Sequence, residues 1–246
     1  MTCNCKFAVW NLPPAICNLK GMTLLLCIGF ILATSAALTT QVGRAGTHVN
    51  VEEVLDQLQA KAKALKSLKA SFEQRKYSRL LVRPMESQGE FFWQPPGRFR
   101  WQVVRPAPLT LVVREDKVLL LYPDLQKATL YRGQSGVALL DRITGATGDP
   151  QTFQHHYAIE VESVGQGQGS RWIQMNMEPK SPQYARYFKR LEVKIDPKTW
   201  LPKEIAILEG NDDWTLIYLS NLIENANFAD GLFRVEPPEG FQVQSY

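Results

Sequence analysis

With 246 residues, 45% of them hydrophobic and 21% charged, the chain has a globular composition and room for one large domain or two small ones. Its net charge of +4 is mild and its Lys and Arg are dispersed, which excludes the basic footprint of a nucleic-acid binder. The 4 cysteines are Cys3, Cys5, Cys17 and Cys27, so the chain beyond them can hold no disulfide, thiolate metal site or cysteine nucleophile.

Residues 22–38 form an apolar run that follows Lys20 and ends in small residues, as the core of an export signal does. Small-x-small cleavage sites lie after Ala37 and after Ala45, and either Met1 or Met22 could initiate. The expected organisation is a signal peptide over 1–45, then one exported, soluble domain over 46–246. An uncleaved anchor is the competing reading.

Residues 50–75 are predicted to form one amphipathic helix. Val51, Val54, Leu55, Leu58, Ala62, Leu65, Leu68 and Phe72 recur at steps of three and four, with Asn50 as N-cap. Lys61, Lys63, Lys66 and Lys69 would form its solvated face. A first strand is predicted over 77–82.

Four strands are predicted over 89–131, divided by turns at Pro95-Pro96-Gly97, Pro106-Ala107-Pro108 and Arg114-Glu115-Asp116-Lys117. Alternation puts Phe99, Trp101 and Val103 on one face and Arg98, Arg100 and Gln102 on the other. Residues 135–143 read as a short apolar helix carrying Val137, Leu139, Leu140 and Ile143. It is too short to stand alone and suits a movable flap or a static plug equally. Further strands are predicted over 157–164, 171–177, 188–195, 202–208 and 214–219, with a short terminal strand from Phe233 running into Pro237-Pro238.

The fold class expected is therefore mainly β with α. A strongly curved antiparallel sheet or incomplete β-barrel is covered by a long N-terminal helix and a short lid helix. No repeat or linker interrupts it.

Catalytic chemistry is not evident. The histidines are His48, His155 and His156, and an extended His155-His156 pair points to opposite sides. Asp212-Asp213 reads as turn chemistry, and no nucleophile elbow or zinc-protease motif occurs. The expectation is no catalytic residue, no metal and no cofactor. What remains is apolar: Trp93, Phe99, Trp101, Leu111, Leu121, Met175, Met177, Trp214, Leu216 and Tyr218 could line one concave surface. An ordinary core behind the helix is the alternative. The methionines would offer adaptable contacts to acyl chains.

Several pieces in order resemble one family. They are Ala70-Ser71-Phe72-Glu73-Gln74, Gly89-Glu90-Phe91, Pro96-Gly97-Arg98-Phe99-Arg100-Trp101, Leu121-Tyr122-Pro123, Ala128-Thr129, and Phe233 followed by Pro237-Pro238 and Gly240. Together they resemble LolA, the periplasmic outer-membrane lipoprotein carrier family, over nearly all of the exported chain. The resemblance implies an incomplete antiparallel barrel with a helical lid, a hydrophobic cavity for the acyl chains of lipoproteins, and no enzymatic activity. Residues 135–143 would be lid and Trp101 a cavity residue.

The resemblance further implies an inner-membrane ABC transporter as donor, an outer-membrane receptor as acceptor, and a monomeric chaperone in the periplasm. The chain departs from the family at Pro95, where an arginine that latches the lid usually precedes the proline; Arg98 or Arg100 would have to replace it. Two alternatives stay open: a carrier of another lipid, such as a glycolipid or polyene lipid, and a non-enzymatic peptide-binding or sensor module.

Overall fold

A computed structural model describes residues 47–133, 156–166, 170–185 and 188–246. Asn50 caps helix α1 (Val51–Ala64) by accepting the Glu52 N–H at 3.0 Å, with Glu52 and Glu53 in the first turn where the helix dipole favours negative charge. The helix is shorter than predicted, because the backbone beyond Ala64 finds tertiary partners. Lys66 donates its N–H to Asn225 Oδ1 at 2.8 Å, Asn225 donates its own to the Ser67 carbonyl at 2.8 Å, and Ser67 Oγ donates to the Ala226 carbonyl at 2.6 Å.

Strand β2 (Leu68–Tyr77) follows, burying Leu68, Ala70, Phe72 and Gln74 in alternation. The helical periodicity misleads here because Leu68 and Phe72 are four residues apart, a spacing that shares a face in helix and strand alike. Lys69 thus belongs to the strand, and Lys61, expected to be solvated, pairs with Glu224 at 2.6 Å.

The remaining strands are β1 (Thr47–His48), β3 (Met85–Gln94), β4 (Arg98–Arg105), β5 (Leu109–Arg114), β6 (Lys117–Tyr122), β7 (Lys127–Arg132), β8 (Tyr157–Gln166), β9 (Ser170–Pro179), β10 (Phe188–Asp196), β11 (Leu201–Glu209), β12 (Trp214–Glu224) and β13 (Gln242–Ser245). A single turn of helix, α2 (Pro182–Ala185), lies between β9 and β10. The 3₁₀ turn Pro123–Leu125 splits the last of the four predicted strands, so that stretch contains one strand more. The strand predicted over 77–82 is not formed: residues 78–84 are the connection from β2 to β3. The terminal strand predicted from Phe233 is a turn; the chain regains strand only at β13, past Pro237-Pro238, which have no N–H to give a ladder.

The strands form one sheet in the order β1-β8-β9-β10-β11-β12-β2-β3-β4-β5-β6-β7-β13. Every neighbouring pair is antiparallel except β13, which runs parallel to β7. Its outer strands, β1 and β13, are not hydrogen-bonded to each other, so the sheet is curved but unclosed.

Two apolar clusters form on opposite faces. The concave one gathers side chains from both halves of the sheet around Val54, Leu55 and Leu58 of α1. The convex one joins Phe92, Val112, Leu119, Ala128 and Leu130 to Phe233, and Phe228, Leu232, Val235 and Phe241 of the C-terminal segment pack over it. That segment is tied down by β13 and by Tyr246, whose ring stacks on Tyr131 at 5.3 Å.

Candidate functional site

The concave face is built around an aromatic ladder. Phe72 on β2 stacks on Trp101 on β4 with ring centroids 3.7 Å apart and planes 19° from parallel. Phe91 and Phe99 lie 6.2 Å and 6.4 Å from Trp101. The contact between Phe72 and Trp101 crosses β3, and it is possible because Gly89, paired with Phe72 on one side and Val103 on the other, has no side chain. A Cβ at Gly89 would lie 1.9 Å from the Gln102 carbonyl oxygen and 2.8 Å from Phe72 Cζ.

The sheet's register assigns each nominated residue to a face. Trp93, Phe99, Trp101 and Leu111 stand on the concave face, since Trp93 pairs with Phe99 and Leu111 with Trp101. Met175 and Met177 join the same cluster from β9, fully buried. Leu121 does not: it pairs with Thr110 and Ala128 and packs into the convex cluster. Trp214, Leu216 and Tyr218 also lie on the far face. Their partners on β2 are Tyr77, Arg75 and Glu73, whereas the concave residues of β12 are Thr215, Ile217 and Leu219, opposite Lys76, Gln74 and Phe72.

Val137, Leu139, Leu140 and Ile143, expected to form a lid helix, lie outside the described residues. Pro95 is exposed in the turn between β3 and β4. Neither suggested substitute for a latching arginine faces the interior. Arg98 donates to Gln94 Oε1 at 3.2 Å. Arg100 pairs opposite Phe92 on the convex side and donates to the Leu232 carbonyl and to Gln102 Oε1, each at 3.1 Å. Burial there lowers the Arg100 pKa from its ordinary value. Arg100 therefore holds the C-terminal segment onto the sheet.

The interior also contains polar groups that pattern reading missed, because they alternate with apolar residues on strands β2, β11 and β12. Lys76 Nζ reaches both carboxylate oxygens of Glu209 at 2.8 Å, and Thr215 Oγ1 donates to Glu209 Oε1 at 2.9 Å. Next along β2, Gln74 is buried and its Oε1 accepts no hydrogen bond among the described residues. Phe72 was hidden by its assignment to the helix. Phe91 was within reach of sequence reasoning, two residues from Gly89 and Trp93 on the same face. The concave face thus carries a packed apolar cluster that ends at the Lys76–Glu209 ion pair, and it offers no nucleophile beside a base among the described residues.

A family model described as outer membrane lipoprotein carrier protein LolA matches residues 63–236. The chain is similar to an outer-membrane lipoprotein carrier protein of Dechloromonas aromatica, 26% identical over 216 residues that cover 86% of this chain and 93% of the relative. It is also similar to one of Methylococcus capsulatus, 29% identical over 226 residues covering 89% of this chain and 93% of that one. Among solved structures, an uncharacterized conserved protein from Thermus thermophilus shares the fold at a TM-score of 0.53 and 12% identity, over 79% of this chain and 98% of the other. The model match takes in well over half of the sequence and includes β2 through β12 with most of the C-terminal segment, so this chain belongs to the LolA family.

Proposed function

We propose that this protein is a periplasmic carrier that shelters the acyl chains of lipoproteins on its concave face during transfer from the inner to the outer membrane. The observation that carries the reading is the convergence of Phe72, Phe91, Phe99, Trp101, Leu111, Met175 and Met177 on one side of an unclosed sheet. Hydrocarbon needs contact area without directional partners, and aromatic planes with flexible methionines provide it. Each buried CH2 contributes about 0.8 kcal/mol, so a single acyl chain supplies enough to keep it out of water. Family membership supports the lipoprotein as cargo, an inner-membrane ABC transporter as donor and an outer-membrane receptor as acceptor. The apolar run over 22–38 supports export, with 1–45 as the removed leader and 46–246 as the working domain.

Native mass spectrometry of the protein recovered from the periplasm of its own cells tests the reading. Adducts with the masses of triacylated lipoproteins support it. Adducts of a glycolipid or polyene lipid would move the assignment to a carrier of that lipid. A clean protein mass under conditions that retain acyl adducts on a known carrier would overturn it.

A further inference from the structure

The two most exposed large apolar side chains among the described residues, Leu80 and Val82, sit together on the loop between β2 and β3. Leu80 is 93% exposed and Val82 103%, with Leu81 at 44%. Two hydrogen bonds shape the loop: Ser78 accepts the Leu81 N–H on its carbonyl at 3.0 Å and the Leu80 N–H on its hydroxyl at 3.3 Å. Its strands are paired up to Lys76 and Met85, so a firm hairpin presents the tip. Tyr77 and Met85, the flanking strand ends, are each 40% exposed. Leaving three neighbouring aliphatic side chains in water is costly, and such a patch marks a contact.

Cations bracket this tip. The loop reads Ser78-Arg79-Leu80-Leu81-Val82-Arg83-Pro84, with an arginine on either side of the aliphatic residues and no acid within it. Arg79 is 80% exposed and lies 3.8 Å from Asp212, while Arg83 has no ion pair among the described residues. The next hairpin, β4 to β5, brings exposed Val104 and Arg105 to the same end of the sheet, since Arg105 pairs with Gln88.

We propose that this loop docks the protein on a bilayer of anionic phospholipid, with Leu80, Leu81 and Val82 entering the acyl region and Arg79 and Arg83 at the phosphates. A lipid surface fits better than a protein partner. The apolar groups form a protruding tip with no pocket around it among the described residues, and cations on both flanks match headgroups lying around an inserted tip. This docking goes beyond the carrier reading and needs no cargo.

The test is co-flotation of the full chain, purified from cells, with vesicles of phosphatidylethanolamine and phosphatidylglycerol, combined with hydrogen–deuterium exchange. The same chain carrying Leu80→Ser and Val82→Ser is the control. Both substitutions fall on exposed side chains, so its melting curve should match the parent's. The expected result is flotation of the parent that weakens with added salt, slowed exchange over residues 78–84 when vesicles are present, and a partition coefficient lower by roughly tenfold or more in the variant. Parent protein that does not float overturns the proposal. So does equal flotation of the variant, or flotation without slowed exchange over 78–84. A variant that changes only the oligomeric state would assign the tip to self-association and also overturn it.

Discussion

Phe72 lies flat on Trp101, ring centroids 3.7 Å apart, although a whole strand runs between them. The bare backbone of Gly89 is what lets the two rings meet. The aromatic ladder of the concave face therefore depends on one residue with no side chain.

Gly89→Ala should be far more damaging than a single methyl suggests. The Gln102 carbonyl that the new Cβ would strike is part of the β3–β4 ladder and cannot swing away. A loss of about 3 kcal/mol is expected from this overpacking. Urea denaturation followed by tryptophan fluorescence would measure it, and near-UV circular dichroism should report the altered surroundings of Trp101. A loss below half a kilocalorie would show that Phe72 and Trp101 do not need the gap.

Trp101 itself is a poor place to test cargo binding, being 1% exposed, because a charge there would unfold the protein. Val103, two residues on, shares the face but is only partly buried at the edge of the cluster. Val103→Glu should keep the fold while placing a carboxylate at the margin of the concave cluster. Affinity for a fluorescent fatty-acyl probe should fall by roughly tenfold, with an unchanged far-UV spectrum. Undiminished affinity would exclude this side of the interior as the binding surface.

The Lys76–Glu209 pair is largely withdrawn from water, with side chains 17% and 11% exposed. Lys76→Met would strand the Glu209 carboxylate beside Thr215 and should cost about 3 kcal/mol. Adding Glu209→Leu should recover most of that loss, since the pair's attraction mainly offsets its own desolvation. A double-mutant cycle by chemical denaturation separates the two, and a double variant no better than Lys76→Met would mean that the pair organises the end of the interior.

Asp212 should titrate low. Its hydrogen bond from Lys189, together with the charges of Lys189 and Arg79, holds its carboxyl below the ordinary aspartate range. The folded-state value is depressed, so the stabilisation is present above the ordinary aspartate pKa and disappears as pH falls through the lowered one. Carboxyl-resolved NMR titration should show the low midpoint and its return upward in Lys189→Met. An unchanged midpoint in that variant would assign the shift elsewhere.

Much of this architecture is legible in the residues alone. The alternation of Phe99, Trp101 and Val103 against Arg98, Arg100 and Gln102 determines a strand and its apolar face, because side-chain direction along extended backbone is a local property. The proline and glycine turns mark where most hairpins close, and Asn50 marks where the helix starts. The end of that helix was not local. Leu68 and Phe72 satisfy both periods, and the decision fell to Asn225 and Ala226, more than 150 residues away, which capture the chain at Lys66 and Ser67.

The faces of Leu121, Trp214 and Leu216 were decided by tertiary structure as well. Strands β5 and β6 carry apolar residues on both sides, as in Leu119, Leu120 and Leu121. Which side is interior depends on what covers it: Leu120 packs against the cluster that α1 joins, and the C-terminal segment lies over Leu119 and Leu121. Composition and spacing determined that this chain makes a curved sheet with more apolar surface than one face can hold. Only the tertiary structure divided that surface between an inner cluster joined by α1 and a clasped outer face, because burial belongs to the covering element as much as to the residue it covers.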